Sequence, residues 1–397
     1  MSHFNKLMIK EKVRNHCPNI RAFRKALSSY RLKELNQFHS LERMALESGD
    51  GPDRRKRILD QAKRKYSAEY ARIDKLTKKT LQRTPKYMES WQDSERLDDI
   101  LFCYFAMGFL PDEYVYFALE KKDMQERLSF ISDRDTKRYH ARVNDLADAG
   151  IFSDKGKTYA RFQEFFQRDA IEISEQKDFD RFKEFIAKHP SFISKRVYSS
   201  MGKGIEKIDF RTETKDAKTV FDELIDGGRC LLEELVIQCE ETAIFNSSSV
   251  NTLRLYTALT KNGVVFPCAF FRTGRAGRFV DNAGSGGVIA DVDTATGRLT
   301  TDGLDEFGDL YVKHPDSGIS FKDYYLPRYP ELLTLAEKLA LMLPTVKITG
   351  WDFACSDKGW CIIEGNPMGQ LGVAQIPRQK GMKDEIDRLL QDIDLML

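Results

Sequence analysis

The sequence predicts an α+β protein whose N-terminal part is all helix, and three observations predict it. Apolar residues recur at helical spacing from Phe4 to about residue 145. Beyond residue 190 the texture changes to short β-branched and aromatic runs punctuated by Gly, Asn and Asp. Helical patterns at about residues 215–226, 329–342 and 381–396 interrupt those runs, which favours an antiparallel sheet with helices packed on it. With 397 residues, 41% hydrophobic and 31% charged, the chain is long enough for two domains, expected at 1–145 and 146–397.

In order, residues 4–46 read as helix until Ser48, Gly49, Asp50, Gly51 and Pro52 break the pattern. A second helical arm over 54–81 places Ile58, Ala62, Tyr66, Tyr70, Ile73 and Leu76 on one face, giving a helical hairpin. After Pro85, short helical patterns continue over residues 93–145; in one of them Pro111 sits at a helix start, with Asp112 and Glu113 in its first turn. The apolar run 100–110, bounded by Asp98, Asp99 and Asp112, falls short of the roughly 20 residues a membrane span needs. Strands are expected around 192–193, 230–236, 252–259, 264–271 and 348–354.

Net charge is only +2, yet residues 1–95 hold 23 Lys and Arg against 12 Asp and Glu, so the charge is polarised along the chain. Those basic helices suit an anionic membrane face, a nucleic acid or plain solvent. The seven cysteines (17, 103, 230, 239, 268, 355, 361) are scattered, with no Cys-x-x-Cys pair, and read as reduced core residues. Lys6, Lys10 and Lys12 lead into no apolar segment with a cleavage site, which points to the cytoplasm.

Four constellations carry candidate chemistry. Residues 192–196 read as an apolar strand ending in Lys195 and Arg196, followed by a small loop, Ser199 to Ile205. Its backbone N–H groups suit phosphate, although an ordinary hairpin reads the same way. Gly350-Trp351-Asp352, a Lys358-Gly359 turn and Glu364-Gly365-Asn366 read as two antiparallel strands with Asp352 facing Glu364. Asn366 lies two residues on and shares the face of Glu364, so three hard oxygen ligands gather for magnesium shared with phosphate. Glu233-Glu234-Leu235-Val236, with Glu240 behind, offers backbone and acid to a nucleoside or else forms an edge strand. Arg254, in an apolar strand, needs an anionic partner when buried, and the Gly-rich stretch 281–287 lets a ligand approach backbone.

Taken in order over residues 98–375, a series of segments resembles the sugar-transfer-associated branch of the ATP-grasp superfamily of carboxylate–amine ligases, related to alpha-L-glutamate ligases. The segments are Gly108-Phe109-Leu110-Pro111-Asp112-Glu113-Tyr114, Asp154-Lys155, Ser249-Val250-Asn251-Thr252-Leu253-Arg254, Val280-Asp281-Asn282, His314-Pro315, Gly350-Trp351-Asp352 and Glu364-Gly365-Asn366. The resemblance implies two α+β subdomains gripping ATP, a lid at about 185–240 and a metal and acceptor part at about 241–397. It further implies Lys155 and Lys195 on the phosphates, with Lys195 and Arg254 catalytic, and a closing loop containing Ser200, Gly202 and Gly204. Glu233, Glu234, Leu235 and Val236 would form the adenine hinge, Glu240 would hold the ribose with Gln238 as competitor, and Asn282 would face the acceptor. Asp352, Glu364 and Asn366 would hold Mg2+, with Mn2+ as substitute. Two points stay open: Arg196 stands where the family commonly has Pro and competes with Lys195, and Lys157 competes with Lys155.

The activity implied by resemblance is ATP-dependent amide formation through an acyl phosphate, from a carboxylate-bearing small molecule or sugar and an amine, in surface polysaccharide or related sugar-conjugate synthesis. The chain would work in the cytoplasm, with attachment to the inner face of the membrane through the basic helices as an option. Asp352→Asn and Glu364→Gln are expected to stop ATP turnover with the fold intact. Two other classes compete: a phosphotransferase acting on a hydroxyl, and a nucleic-acid-binding protein without enzymatic activity. The last leaves Asp352, Glu364 and Asn366 unexplained.

Overall fold

The computed structural model describes residues 31–46, 52–84, 94–199, 204–275, 277, 286–305 and 307–394. Its first part is helical: α1 (His39–Leu46), α2 (Pro52–Lys65), α3 (Ser67–Arg83), α4 (Ser94–Phe102), α5 (Pro111–Tyr116), α6 (Met124–Ser129), α7 (Asp133–Val143) and α8 (Lys155–Phe166). The single arm expected over 54–81 is two helices. Tyr66 leaves helical geometry at φ −128°, ψ 42°, because its ring packs edge-on against Phe38 at 4.7 Å and its hydroxyl donates to Gln37 O at 2.6 Å. Ile58, Ala62, Ile73 and Leu81 are buried, as their spacing requires.

The run 100–110 becomes the wall of a core. Residues Cys103–Met107 form a buried π-helical turn that ends at Gly108, whose φ of +88° and whose closeness to Arg134 Cβ (2.5 Å from a built Cβ) exclude any other residue. Pro111 starts α5, and the Glu113 carboxylate turns back to accept from Leu110 N at 2.9 Å. Among the described residues no helix is long and apolar enough to cross a membrane.

Every strand pairing is antiparallel. A four-stranded sheet orders β1 (Ala170–Ile173), β4 (Cys230–Glu234), β2 (Ser191–Arg196) and β3 (Ile205–Asp209), backed by α9 (Phe179–Lys188) and α10 (Ala217–Asp226). Its first strand lies upstream of the 185–240 span expected for a lid. The larger sheet uses β5 (Thr252–Thr260), β6 (Gly263–Val265), β7 (Ala269–Thr273), β8 (Val288–Val292), β9 (Gly303–Leu304), β10 (Leu310–Tyr311), β11 (Ile348–Ser356) and β12 (Gly359–Asn366). Its order is β10-β9-β8-β7-β5-β11-β12, with β6 hairpinned onto β5. The run expected at 264–271 is split into β6 and β7 by a stretch holding Pro267, which has no N–H for a ladder.

Alternation along β5 sorts the two faces. Leu253 and Leu255 join a cluster with α11 (Tyr329–Met342) and Trp351, whereas Tyr256 and Ala258 join one running from Phe38 to Ile393 in α12 (Lys383–Asp394). The N-terminal helices therefore share a core with the sheet face that carries Arg254.

Candidate active site

On the smaller sheet, Lys195 and Glu233 project from neighbouring strands to one face. Lys195 Nζ lies 2.9 Å from Glu233 Oε1, while Arg168 donates to Oε2 through Nε at 2.8 Å and Nη2 at 2.5 Å. Burial alone would raise the Glu233 carboxyl, but Arg168 and Lys195 outweigh it and bring the pKa to about 2. Arg168 also donates to Ile362 O at 2.7 Å, tying this face to the larger sheet.

Asp154 caps α8 by accepting from Lys157 N at 3.1 Å, which places Lys155 in the first turn, aimed at the β2–β3 loop. The Lys155 ammonium donates to Ser199 O and, at 3.3 Å, to Ser199 Oγ. Its pKa is lowered, by burial first and by Lys195 next, against an opposing pull from Glu364 and Glu233. Lys157 is exposed, so Lys155 is the residue that faces the other charged groups. Arg196 turns to the far face and donates to Leu224 O and, at 2.9 Å, to Gly228 O, satisfying carbonyls at the end of α10. Its guanidinium thus lies away from the Lys195–Glu233 pair.

Residues 235–239 carry the chain from one sheet to the other, with Cys239 N donating to Cys355 O at 2.8 Å. Glu234 points away from Glu233 and accepts from Asp169 N at 3.1 Å. Leu235 and Val236 are half-buried on this crossing. The Gln238 amide donates to Asn246 O and Ser249 O, both at 2.8 Å, and accepts from Asn251 N at 3.1 Å and Nδ2 at 3.0 Å. That side chain braces a loop, while Glu240 stands exposed at the start of a short helix (Glu240–Ala243).

On the larger sheet, Arg254, Asp352 and Glu364 occupy facing positions on β5, β11 and β12. Asp352 is 3% exposed. Arg254 grips it with Nε on Oδ1 and Nη2 on Oδ2 at 2.7 Å, and Arg272 Nη2 reaches Oδ1 at 2.8 Å. Burial would raise this carboxyl too, but the two arginines lower it. Glu364 is exposed, and its Oε1 accepts from Asn366 Nδ2 at 3.0 Å. Glycines make room for the row: a Cβ on Gly350 would meet the Tyr256 ring at 2.8 Å, and one on Gly365 the Phe152 ring at 2.4 Å.

The donor set fits a hard divalent cation. Oδ2 of Asp352 accepts one N–H and keeps a lone pair, Glu364 faces solvent, and the Asn366 amide supplies a neutral oxygen. Lys155, Lys195, Arg254 and Arg272 add positive charge suited to phosphate. Arg272 and Arg168 escaped sequence reasoning. Arg272 follows Phe270 and Phe271 in an apolar strand and carried the same signal as Arg254, whereas Arg168 showed none.

Ser200, Gly202 and Asn282 lie outside the described residues. Gly204, at φ +69°, closes the β2–β3 loop by accepting from Arg196 N at 3.0 Å. His314 is a turn former: Nε2 donates to Gly274 O at 2.9 Å, and Nδ1 accepts from Asp316 N and Ser317 N at 3.3 Å. A cavity of about 720 Å³ shares Arg168 and Glu234 with these residues and is also lined by Tyr159, Glu164, Lys188 and His189. There Asp169, already bound by Lys188 and His189, is a neutralised acid.

Against known proteins, residues 134–391 match the family described as sugar-transfer associated ATP-grasp. The chain belongs to that family. Three solved structures are among those it is similar to. ATP-grasp ligase PsnB with minimal precursor, Mg and ADP is 12% identical, with TM-score 0.39 and coverage of 78% of this chain and 74% of that one. D-alanyl-alanine synthetase A of Vibrio cholerae O1 biovar eltor is 11% identical, with TM-score 0.40 and coverage of 65% and 67%. N5-carboxyaminoimidazole synthetase of Staphylococcus aureus with ADP is 12% identical, with TM-score 0.38 and coverage of 58% and 48%. No curated protein matches in sequence. The family match begins in α7, beyond the first N-terminal helices.

Proposed function

We propose that this ATP-grasp protein is an ADP-forming carboxylate–amine ligase that uses ATP and Mg2+. The observation that carries the reading is the convergence of Asp352, Glu364 and Asn366 with Arg254 and Arg272 on one sheet, with Lys155 close enough to feel the charges of Glu364 and Lys195. A carboxylate resists amines because its oxygens are poor leaving groups. In the proposed reaction a substrate carboxylate oxygen attacks the γ-phosphorus and the bond to ADP breaks, giving an acyl phosphate. The amine nitrogen then attacks the acyl carbon, inorganic phosphate leaves, and the nitrogen loses a proton to give the amide.

The chain's work is positioning and charge. With the four-stranded sheet read as the lid and the larger sheet as the body, Lys155 from α8 and Lys195 from the lid hold phosphate oxygens, while Arg254 and Arg272 bring positive charge to the transferred phosphoryl from the body. The backbone of 233–236 receives the adenine, and Glu240 the ribose. Asp352, Glu364 and Asn366 would hold Mg2+, which neutralises phosphate charge when bound. The loop holding Ser200, Gly202 and Gly204 would shield the acyl phosphate from water, and Asn282 would face the acceptor. The acid and amine are a carboxylate-bearing small molecule or sugar and an amino compound in sugar-conjugate synthesis.

The test is incubation with ATP, Mg2+ and pools of carboxylates and amines, with ADP and the conjugate followed by mass. ADP that requires both pools, with a product lighter by one water than the summed substrates, supports the ligase. ADP formed with a hydroxyl acceptor and no amine replaces it with a phosphotransferase.

A further inference from the structure

Helix α7 ends against both strands that carry the acidic row. Asn144, the residue after it, is 3% exposed; its Nδ2 donates to Ile348 O at 2.8 Å and Pro367 O at 2.7 Å, and its Oδ1 accepts from Ile348 N at 2.8 Å. Ile348 opens β11 four residues before Asp352, and Pro367 comes directly after Asn366. One amide side chain thus staples the start of one strand to the end of the other.

One turn back, His140 is fully buried and its Nε2 lies 2.8 Å from Gly369 O. A carbonyl only accepts, so the ring carries its proton on Nε2. Gly369 N in turn donates to Asn366 O at 3.1 Å, closing the turn that ends β12. The sheet side of this turn has no slack, because a Cβ on Gly369 would lie 3.0 Å from the Tyr256 hydroxyl. Helix α7 is itself fixed. Arg134 and Arg138 both bind Glu42 of α1, at 2.7 and 2.9 Å, and Lys383 binds Asp135 at 2.9 Å.

We propose that His140 and Asn144 are positioning residues: from outside the acidic row they set Glu364 and Asn366 against Asp352, and through α7 and Glu42 they tie that spacing to the N-terminal helices. This rests on reading those three residues as metal ligands. A partner one shell removed from a metal commonly changes its affinity about 10- to 100-fold.

The experiment titrates Mn2+ into the full chain with ADP and no acceptor, following free Mn2+ by paramagnetic resonance. His140→Ala should weaken Mn2+ about tenfold while melting cooperatively. His140→Gln, whose amide still donates toward Gly369 O, should recover most of the loss. Amide exchange at Met368 and Gly369 should quicken in His140→Ala. Should that variant not fold, Asn144→Ser, too short to span both strands, should show the same loss of Mn2+. A folded His140→Ala or Asn144→Ser with wild-type Mn2+ affinity overturns the positioning role alone. A wild-type chain that binds no Mn2+ with ADP overturns the ligase reading and this inference with it.

Discussion

The four-stranded sheet and the larger sheet, proposed above as lid and body, each bury a carboxylate between two cations, Glu233 between Lys195 and Arg168, and Asp352 between Arg254 and Arg272. They differ in which group is free to move. In the lid, Arg168 is anchored to Ile362 O, whereas Lys195 is a point charge on a flexible stem that can pass from Glu233 to a phosphate. In the body both cations are planar forks locked on Asp352, and the free groups are the exposed Glu364 and the neighbouring Asn366. Each half therefore keeps one fixed ion pair as scaffold and holds other groups ready for ligand. Substitutions should separate scaffold from ligand-facing group.

Asp352→Asn should have the largest effect, and on two properties at once. It strips the counter-charge from two buried arginines, so ADP formation is lost and stability falls by about 3–5 kcal/mol in urea unfolding. An intact fold is the sequence-based expectation for this variant, and the unfolding measurement decides between that and the loss expected from the arginine pair on Asp352. Glu364→Gln should also stop ADP formation, yet leave the unfolding midpoint within about 0.5 kcal/mol of wild type because the residue is exposed. Equal destabilisation by both variants would erase the distinction drawn for the body. In the lid, Lys195→Ala should raise the KM for ATP about tenfold or more, from loss of a charged hydrogen bond of about 1.5–3 kcal/mol. Arg196→Ala should lower the melting temperature and leave that KM alone, since its partners are carbonyls near the end of α10.

The pairing of the candidate residues was legible where one hairpin sufficed. Asp352 facing Glu364, and Asn366 sharing a side with Glu364, are consequences of the period of two and a tight turn, and the register pairs them. Which of Lys155 and Lys157, or of Lys195 and Arg196, lies among the other charged groups needed tertiary contacts, because residues so close in sequence differ only in the face they present. Gln238 shows the same limit: nothing local reveals that its amide is consumed by Asn246, Ser249 and Asn251. In the fold, the helix break at Tyr66 came from an aromatic contact 28 residues distant, with Phe38, which no window of helical periodicity contains. Strand β1 was too short, with only Ile173 fully buried, to stand out from its helical flanks.

A third buried acid sharpens the comparison. Among the described residues Glu113 accepts only backbone N–H groups, from Leu110 at 2.9 Å and Asp133 at 3.1 Å, with no cation among its hydrogen-bond partners. Burial, reinforced by Asp133, raises its pKa well above the ordinary glutamate value. The folded state then holds a proton that the unfolded state gives up, so the stability it contributes is present below about pH 4.5 and is lost as pH rises through the folded value. Glu233 has the opposite sign, with stability present above about pH 4.5 and lost as pH falls toward its folded value of about 2. Glu113→Gln, which keeps the acceptor oxygen, should therefore match wild type near pH 4 and exceed it increasingly toward pH 8. Glu233→Gln should lose most at pH 7 and converge on wild type in acid. Urea midpoints at pH 2, 4, 6 and 8 measure both, and parallel curves for Glu113→Gln and wild type would mean that backbone N–H groups alone keep a buried carboxylate charged.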